Sequence, residues 1–164
     1  MDELIGRIER AAGAIASLRE RLEAGEPWPL AERFGTEPEA SWGPREALAH
    51  VAEMMPFWLG EIERILAGPV EPVPFGRPAS DQLRIGAIER DRSLPLRELY
   101  GRLGGDTGRF VRRLRELSPA EADRTGLHPT LGVLTVRQAT DRFVAGHLEE
   151  HAAQIAAILD TRRG

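Results

Sequence analysis

The chain contains no cysteine, which excludes disulfides, thiolate metal ligands and a cysteine nucleophile from the chain itself. Thiol chemistry here would have to use a thiol brought from outside. Lysine and asparagine are also absent, and all 22 basic residues are arginine, a skew read as genomic composition that carries little functional information. No stretch approaches the ~18 uninterrupted apolar residues of a spanning helix. The opening Met1-Asp2-Glu3 lacks the basic region and apolar run of a signal peptide. A cytoplasmic protein without membrane attachment is the expectation. A block of like charge is missing as well: the net charge is -4 and the arginines are interleaved with Asp and Glu. The clustered basic face of a nucleic-acid binder is therefore not expected.

What is present is the balance of a globular protein, with 41% hydrophobic and 29% charged residues in a chain of 164. That length predicts one domain over residues 1–164, burying roughly 70% of the surface its unfolded form exposes. Apolar residues at Leu4, Ile8, Ala11, Ile15, Leu18 and Leu22 keep one stripe on a first helix, with Asp2 to cap it and Gly25 to end it. Glu26 to Gly43 carries Pro27, Pro29 and Pro38 and reads as a long ordered connection, with a turn of helix around Leu30 to Phe34. Pro44 suits the first position of a second helix, whose apolar stripe runs through Leu48, Val51, Met55, Leu59, Ile62 and Leu66. Pro56 lies inside it and should bend it.

The segment Gly68 to Pro78, rich in proline, predicts an extended crossover loop. A short helical piece is expected between Ser80 and Arg90, then a third long helix from about Pro95 with Leu96, Leu99, Leu103, Phe110, Leu114 and Leu117 inward. Gly101, Gly104, Gly105 and Gly108 weaken that helix, each by about 1 kcal/mol relative to Ala. They admit two readings, close approach of a backbone or ligand, or local irregularity that packing overcomes. Ser118-Pro119-Ala120-Glu121 and Thr135-Val136-Arg137-Gln138 each have the form of a capping box. The second opens a last helix reaching about Thr161, and Gly126 to Gly132 is read as a turn. Four long helices and no strand-like alternation predict an all-α, antiparallel four-helix bundle, with connections long enough for a crossover topology.

Three of the four histidines fall on these helices. His147 and His151, four residues apart, differ by about 40° around the axis and about 6 Å along it, so both imidazoles face one way. They sit within the apolar stripe formed by Val136, Phe143, Val144, Ile155 and Ile158. Two buried imidazoles need partners for their nitrogens. A divalent metal supplies them, although a surface or structural role fits an isolated pair equally well. His50 flanks the stripe of the second helix and adds a third ligand, since bundles build sites between facing helices. Three histidines would leave a coordination position open, the pattern of a reactive site. Glu46 and Glu53 could orient the His50 imidazole or act as a base near the metal, and Glu150 has the same two readings beside His151, but each reads mainly as a solvated helix-face carboxylate. His128, in the run Gly126-Leu127-His128-Pro129, could line the site entrance but reads first as a surface turn residue. Trp42, Phe57 and Trp58 read as core aromatics that could wall the site. No residue stands out as catalytic.

The run Trp42-Gly43-Pro44-Arg45-Glu46-Ala47-Leu48-Ala49-His50, with Gly132-Val133-Leu134-Thr135-Val136-Arg137-Gln138 leading to His147-Leu148-Glu149-Glu150-His151, resembles the DinB-like superfamily of bacterial metalloproteins. That group includes the metal-binding domain of mycothiol-dependent maleylpyruvate isomerase and the bacillithiol transferases. The resemblance implies a four-helix bundle with a crossed connection, a divalent transition metal on His50, His147 and His151, and a homodimer. Zn and Ni are the first candidates for the metal. The sequence ends soon after the fourth helix, so an isomerase with its additional C-terminal domain is not the expectation. The reaction class the resemblance implies is S-transfer between a low-molecular-weight thiol and a small electrophile. A metal-dependent hydrolase, or a non-catalytic metal-binding or sensing dimer, remains the alternative, because a fold does not determine a reaction.

Overall fold

The computed structural model of the protein describes residues 1–31 and 39–162. The apolar stripes predicted from the sequence become four long helical runs. The first divides at Leu18 into α1 (Asp2–Ser17) and α2 (Arg19–Ala24). Asp2 does not cap it; Met1 holds that position, and Asp2 and Glu3 occupy the first turn, where their charge favours the helix dipole. Gly25 follows α2 as expected. The second run is α3 (Pro44–Ala67), with Pro44 at its first turn and Pro56 inside a helix that continues past it. The helical turn expected at Leu30 to Phe34 falls largely on residues 32–38, outside the described residues.

A shorter helix, α4 (Gln82–Asp91), is capped by the Asp81 carboxylate, which accepts from the backbone N–H of Arg84 at 2.9 Å. Next come α5 (Leu96–Glu116) and the single turn α6 (Pro119–Ala122), which opens with the predicted Ser118–Glu121 capping box. The Thr135–Gln138 box is also formed and opens α7 (Val136–Thr140). A π-helical turn over Asp141–Ala145 then leads into α8 (Gly146–Thr161). The glycines of α5 approach nothing closely: a Cβ at Gly101, Gly104 or Gly105 would meet no atom within 4 Å. The helix is held by its buried residues Leu99, Leu103, Phe110 and Leu114, so packing outweighs propensity.

The long helices form a ring in which α1 packs against α5 and α8, and α3 against the same two. Helices α1 and α3, consecutive in the chain apart from the short α2, are thus diagonal, as are α5 and α8. The connections between them cross the bundle, which is the crossover topology. Ile8, Leu48, Leu99, Phe110 and Leu148 meet in its centre, with no surface exposed. No helix among the described residues is long and apolar enough to cross a membrane.

The sequence reading missed a small sheet. Strands β1 (Val73–Pro74), β2 (Thr125–His128) and β3 (Gly132–Thr135) lie in that spatial order. β1 is parallel to β2, while β2 and β3 form a hairpin with Leu127 opposite Val133 and His128 opposite Gly132. Gly132 has a positive φ of 74°, which suits the end of a three-residue hairpin loop. These strands are too short to display alternation. The sheet brings the Gly68 to Pro78 connection and the hairpin together beside one end of α3 and α8.

Candidate metal centre

Side chains from three separate parts of the chain meet between α3 and α8. His50, on α3, is 3% exposed, and His151, on α8, is likewise 3% exposed; His147 is partly open. Their Nε2 atoms converge, 2.8 Å apart for His50 and His147 and 3.2 Å for His147 and His151. The structure thus brings together all three histidines singled out in the sequence. It adds a fourth group, Glu39, from a 3₁₀ turn at Glu39–Ser41. A Glu39 oxygen lies 3.3 Å from His147 Nε2 and 3.4 Å from His151 Nε2, and the other is 3.8 Å from His50 Nε2. One donor atom from each of the four lies within 4.8 Å of all the others.

Bonds of about 2.0–2.1 Å to one tetrahedral ion separate its ligand atoms by about 3.3 Å, close to the 3.2, 3.3 and 3.4 Å observed around His147 and His151. Direct hydrogen bonding accounts poorly for the same set. Three imidazole nitrogens facing one another hold too few protons in the neutral state, and charging two of them side by side is unfavourable. A divalent cation satisfies all four donors at once. The donor set of three nitrogens and one oxygen suits first-row transition metals, Zn and Ni included.

The outer nitrogens follow a regular pattern: each histidine has an oxygen-bearing side chain three residues later. His151 Nδ1 lies 2.8 Å from Gln154 Oε1. His147 Nδ1 is 3.5 Å from Glu150, and His50 Nδ1 is 3.8 Å from Glu53. At His151 the Gln154 oxygen accepts at Nδ1, which places the proton there and leaves the Nε2 lone pair facing the centre, whereas His50 Nδ1 has no hydrogen-bond partner among the described residues. Gln154 does more, because its amide also donates to the Glu39 carbonyl at 2.6 Å, tying the 3₁₀ turn to α8. The Glu39 carboxylate in turn accepts from Arg84, and Glu53 from Arg77.

Burial holds the His50 imidazole down, to about 3, with the Arg84 and His151 charges adding to it and Glu53 opposing. His50 is therefore neutral and ready to ligate at physiological pH. Burial alone would raise the Glu39 carboxyl, but hydrogen bonds from His147 and His151 and the nearby histidine charges hold it well below the ordinary carboxylate range. Glu39 is thus anionic where a cation would sit.

The cluster opens on a cavity of about 340 Å³ that Glu39, His50 and His147 line on one side. Trp58, Phe143 and His128 form its aromatic wall, with the Phe143 ring stacked at 4.4 Å on Trp58 and 4.8 Å on His128. His128, expected on the surface, is 5% exposed. The hairpin folds it against Phe75 and over Gly76. Gly76 has φ +78°, and a Cβ there would lie 2.5 Å from the His128 ring. Glu46 departs from expectation differently: it is fully buried, away from the cluster, and accepts from the Ala31 N–H and from Arg92. Trp42 packs edge-on against His50 at 5.5 Å, while Phe57 carries the Arg77 guanidinium on its face.

Glu39 and Gln154 escaped the sequence reading. Gln154 left a usable signal in the repeated spacing of three from each histidine to Glu53, Glu150 and Gln154. Glu39 left none beyond its place in a long, proline-rich connection.

The crossed four-helix bundle and its cluster of three histidines and a carboxylate define a helical protein with a candidate metal site. The chain belongs to the DinB superfamily, whose family model matches residues 14–155. Among solved structures, it is similar to YfiT from Bacillus subtilis, described as a probable metal-dependent hydrolase with an unusual four-helix bundle topology. The two share 20% identity and a TM-score of 0.76 over 99% of this chain and 87% of that one. No curated protein matches the chain.

Proposed function

We propose that the protein is a metal-dependent enzyme that transfers a small electrophilic group to an external low-molecular-weight thiol. The observation that supports this most is the convergence of Glu39, His50, His147 and His151 within 4.8 Å at the edge of a cavity. A divalent ion such as Zn²⁺ or Ni²⁺ on these four residues would supply Lewis acidity, which lowers the pKa of a thiol or water at neutral pH. The residues of the chain do the rest. Gln154 fixes the His151 tautomer and the position of Glu39. Arg84 balances the Glu39 charge. Glu39, which accepts from Arg84 and faces the three histidines, serves as a ligand and charge anchor. Trp58 and Phe143 keep water from one wall of the cavity. With no cysteine in the chain, the sulfur nucleophile comes with a second substrate.

Metal-dependent hydrolysis is the second reading, favoured by the description of YfiT; there water takes the place of the thiol. Assembly as a homodimer belongs to the proposal on the strength of the family resemblance. Light scattering should then return about twice the chain mass of 18.1 kDa.

The test begins with elemental analysis of untagged protein, wild type beside His50→Ala and His147→Ala. About one equivalent of metal, lost in both variants, is expected. The loaded protein is then given an electrophile with and without mycothiol, bacillithiol or glutathione. Thiol-dependent consumption supports transfer, and product formation without any thiol supports hydrolysis. No metal in the wild type after supplementation rejects both.

A further inference from the structure

Three arginines line the cavity beside the cluster: Arg77, Arg84 and Arg142. Two are matched. Arg77 pairs with Glu53, and Arg84 pairs with Glu39. Arg142 has no ion-pair or hydrogen-bond partner among the described residues. The carboxylates nearest to it along the helix are turned elsewhere. Arg7, from α1, takes Asp141 at 2.5 Å and grips Glu149 through two nitrogens at 2.8 and 2.7 Å. The π-helical turn Asp141–Ala145 thus directs Asp141 toward α1, while Arg142 and Phe143 line the cavity. Such turns recur at functional positions because the extra residue shifts the faces on either side.

His128 adds an independent sign on the same wall. Its Nδ1 accepts from the Thr130 N–H at 3.3 Å, so the neutral ring carries its proton on Nε2, which is buried and has no partner. Burial, and after it the Arg142 charge, holds this imidazole below its ordinary range. Both side chains line the same cavity.

We infer that Arg142, beside His128, forms a subsite for the carboxylate of a small organic acid whose reactive group reaches the Glu39, His50, His147 and His151 cluster. This rests on the metal-centre reading, since it describes the substrate of that site. The single uncompensated guanidinium matches a monoanion, and its planar fork meets the two oxygens of a carboxylate. A phosphate dianion would call for more donors than this wall offers. The cavity walls of Trp58, Phe143 and Leu131 suit an apolar or aromatic body between carboxylate and reactive group.

Calorimetric titration of the zinc-supplemented full chain with benzoate and with its neutral isostere benzamide tests the inference. Wild type should bind benzoate about tenfold or more tighter than benzamide, the scale of one charge-assisted pair. Arg142→Gln should lose that preference and keep the wild-type metal content and circular dichroism spectrum. Preference retained in Arg142→Gln, or absent from the wild type, overturns the subsite. If His147→Ala then abolishes a preference that Arg142→Gln retains, the carboxylate was held at the cluster instead. Elemental analysis of the same samples reads the metal-centre proposal separately, because the benzoate comparison is made whatever the metal content.

Discussion

Gln154 holds His151 Nδ1 and the Glu39 carbonyl at once, so its loss should loosen two ligands together. Removing such a partner typically lowers metal affinity by about 10- to 100-fold. Competition against a chromogenic chelator should show a loss of that size for Gln154→Ala. Unchanged affinity would mean that the outer contact does not position the ligands. The depressed His50 pKa gives a further prediction for the metal-free protein. Between its ordinary value of 6.5 and its folded value of about 3, the unfolded chain binds a proton at this residue that the folded one does not. Stability is therefore lost as pH falls through that window. The lowered carboxyl of Glu39 acts in the same direction below its own ordinary range. The urea midpoint of chelated protein should drop between pH 7 and pH 5, and His50→Gln should flatten the slope; an equal slope in both contradicts this account. The three histidines were legible in the sequence because a helix converts a spacing of four into a shared face. Glu39 was not, since a loop residue has no periodicity to place it.

At the scale of elements, the glycines of α5 show what propensity can and cannot say. Their presence argued against a helix, yet the buried face from Leu96 to Leu114 carries one without interruption. Gly104 and Gly105 are exposed and surrounded by open space, so a methyl group costs nothing sterically. Gly104→Ala should stabilise the fold by about 0.5–1 kcal/mol, read as a higher thermal or urea midpoint. A lower midpoint would point to a contact that the isolated chain does not reveal. Both capping boxes were legible because their residues act within one turn of chain. The hairpin was not: β2 and β3 have four residues each, and β2 pairs in addition with a segment some fifty residues earlier. Its consequence for function is large, since it buries His128 and shapes the cavity wall.

At the scale of the whole molecule, the centre joins α3, α8 and the 3₁₀ turn at Glu39, three pieces that no local interaction holds together. An ion bound there links them only in the folded state, so it should stabilise folding by about 2.7 kcal/mol when free metal is one hundredfold above its dissociation constant. Differential scanning fluorimetry should show a lower midpoint on chelation and recovery on adding Zn²⁺ or Ni²⁺. His147→Ala should be insensitive to both treatments. A chelation effect of equal size in that variant would place the ion elsewhere.

Local and periodic information determined the helices, their caps and the two faces bearing His50, His147 and His151, because each depends on residues within a few turns of chain. The crossed order of those helices was legible only as an allowance from connection lengths, and the family resemblance narrowed it. Tertiary structure decided which carboxylate joins the histidines, which of the described arginines lining the cavity is left without a partner, and that His128 lies inside. Those outcomes depend on where distant segments dock, and docking is governed by the summed packing of the whole core, which no single stretch of sequence encodes.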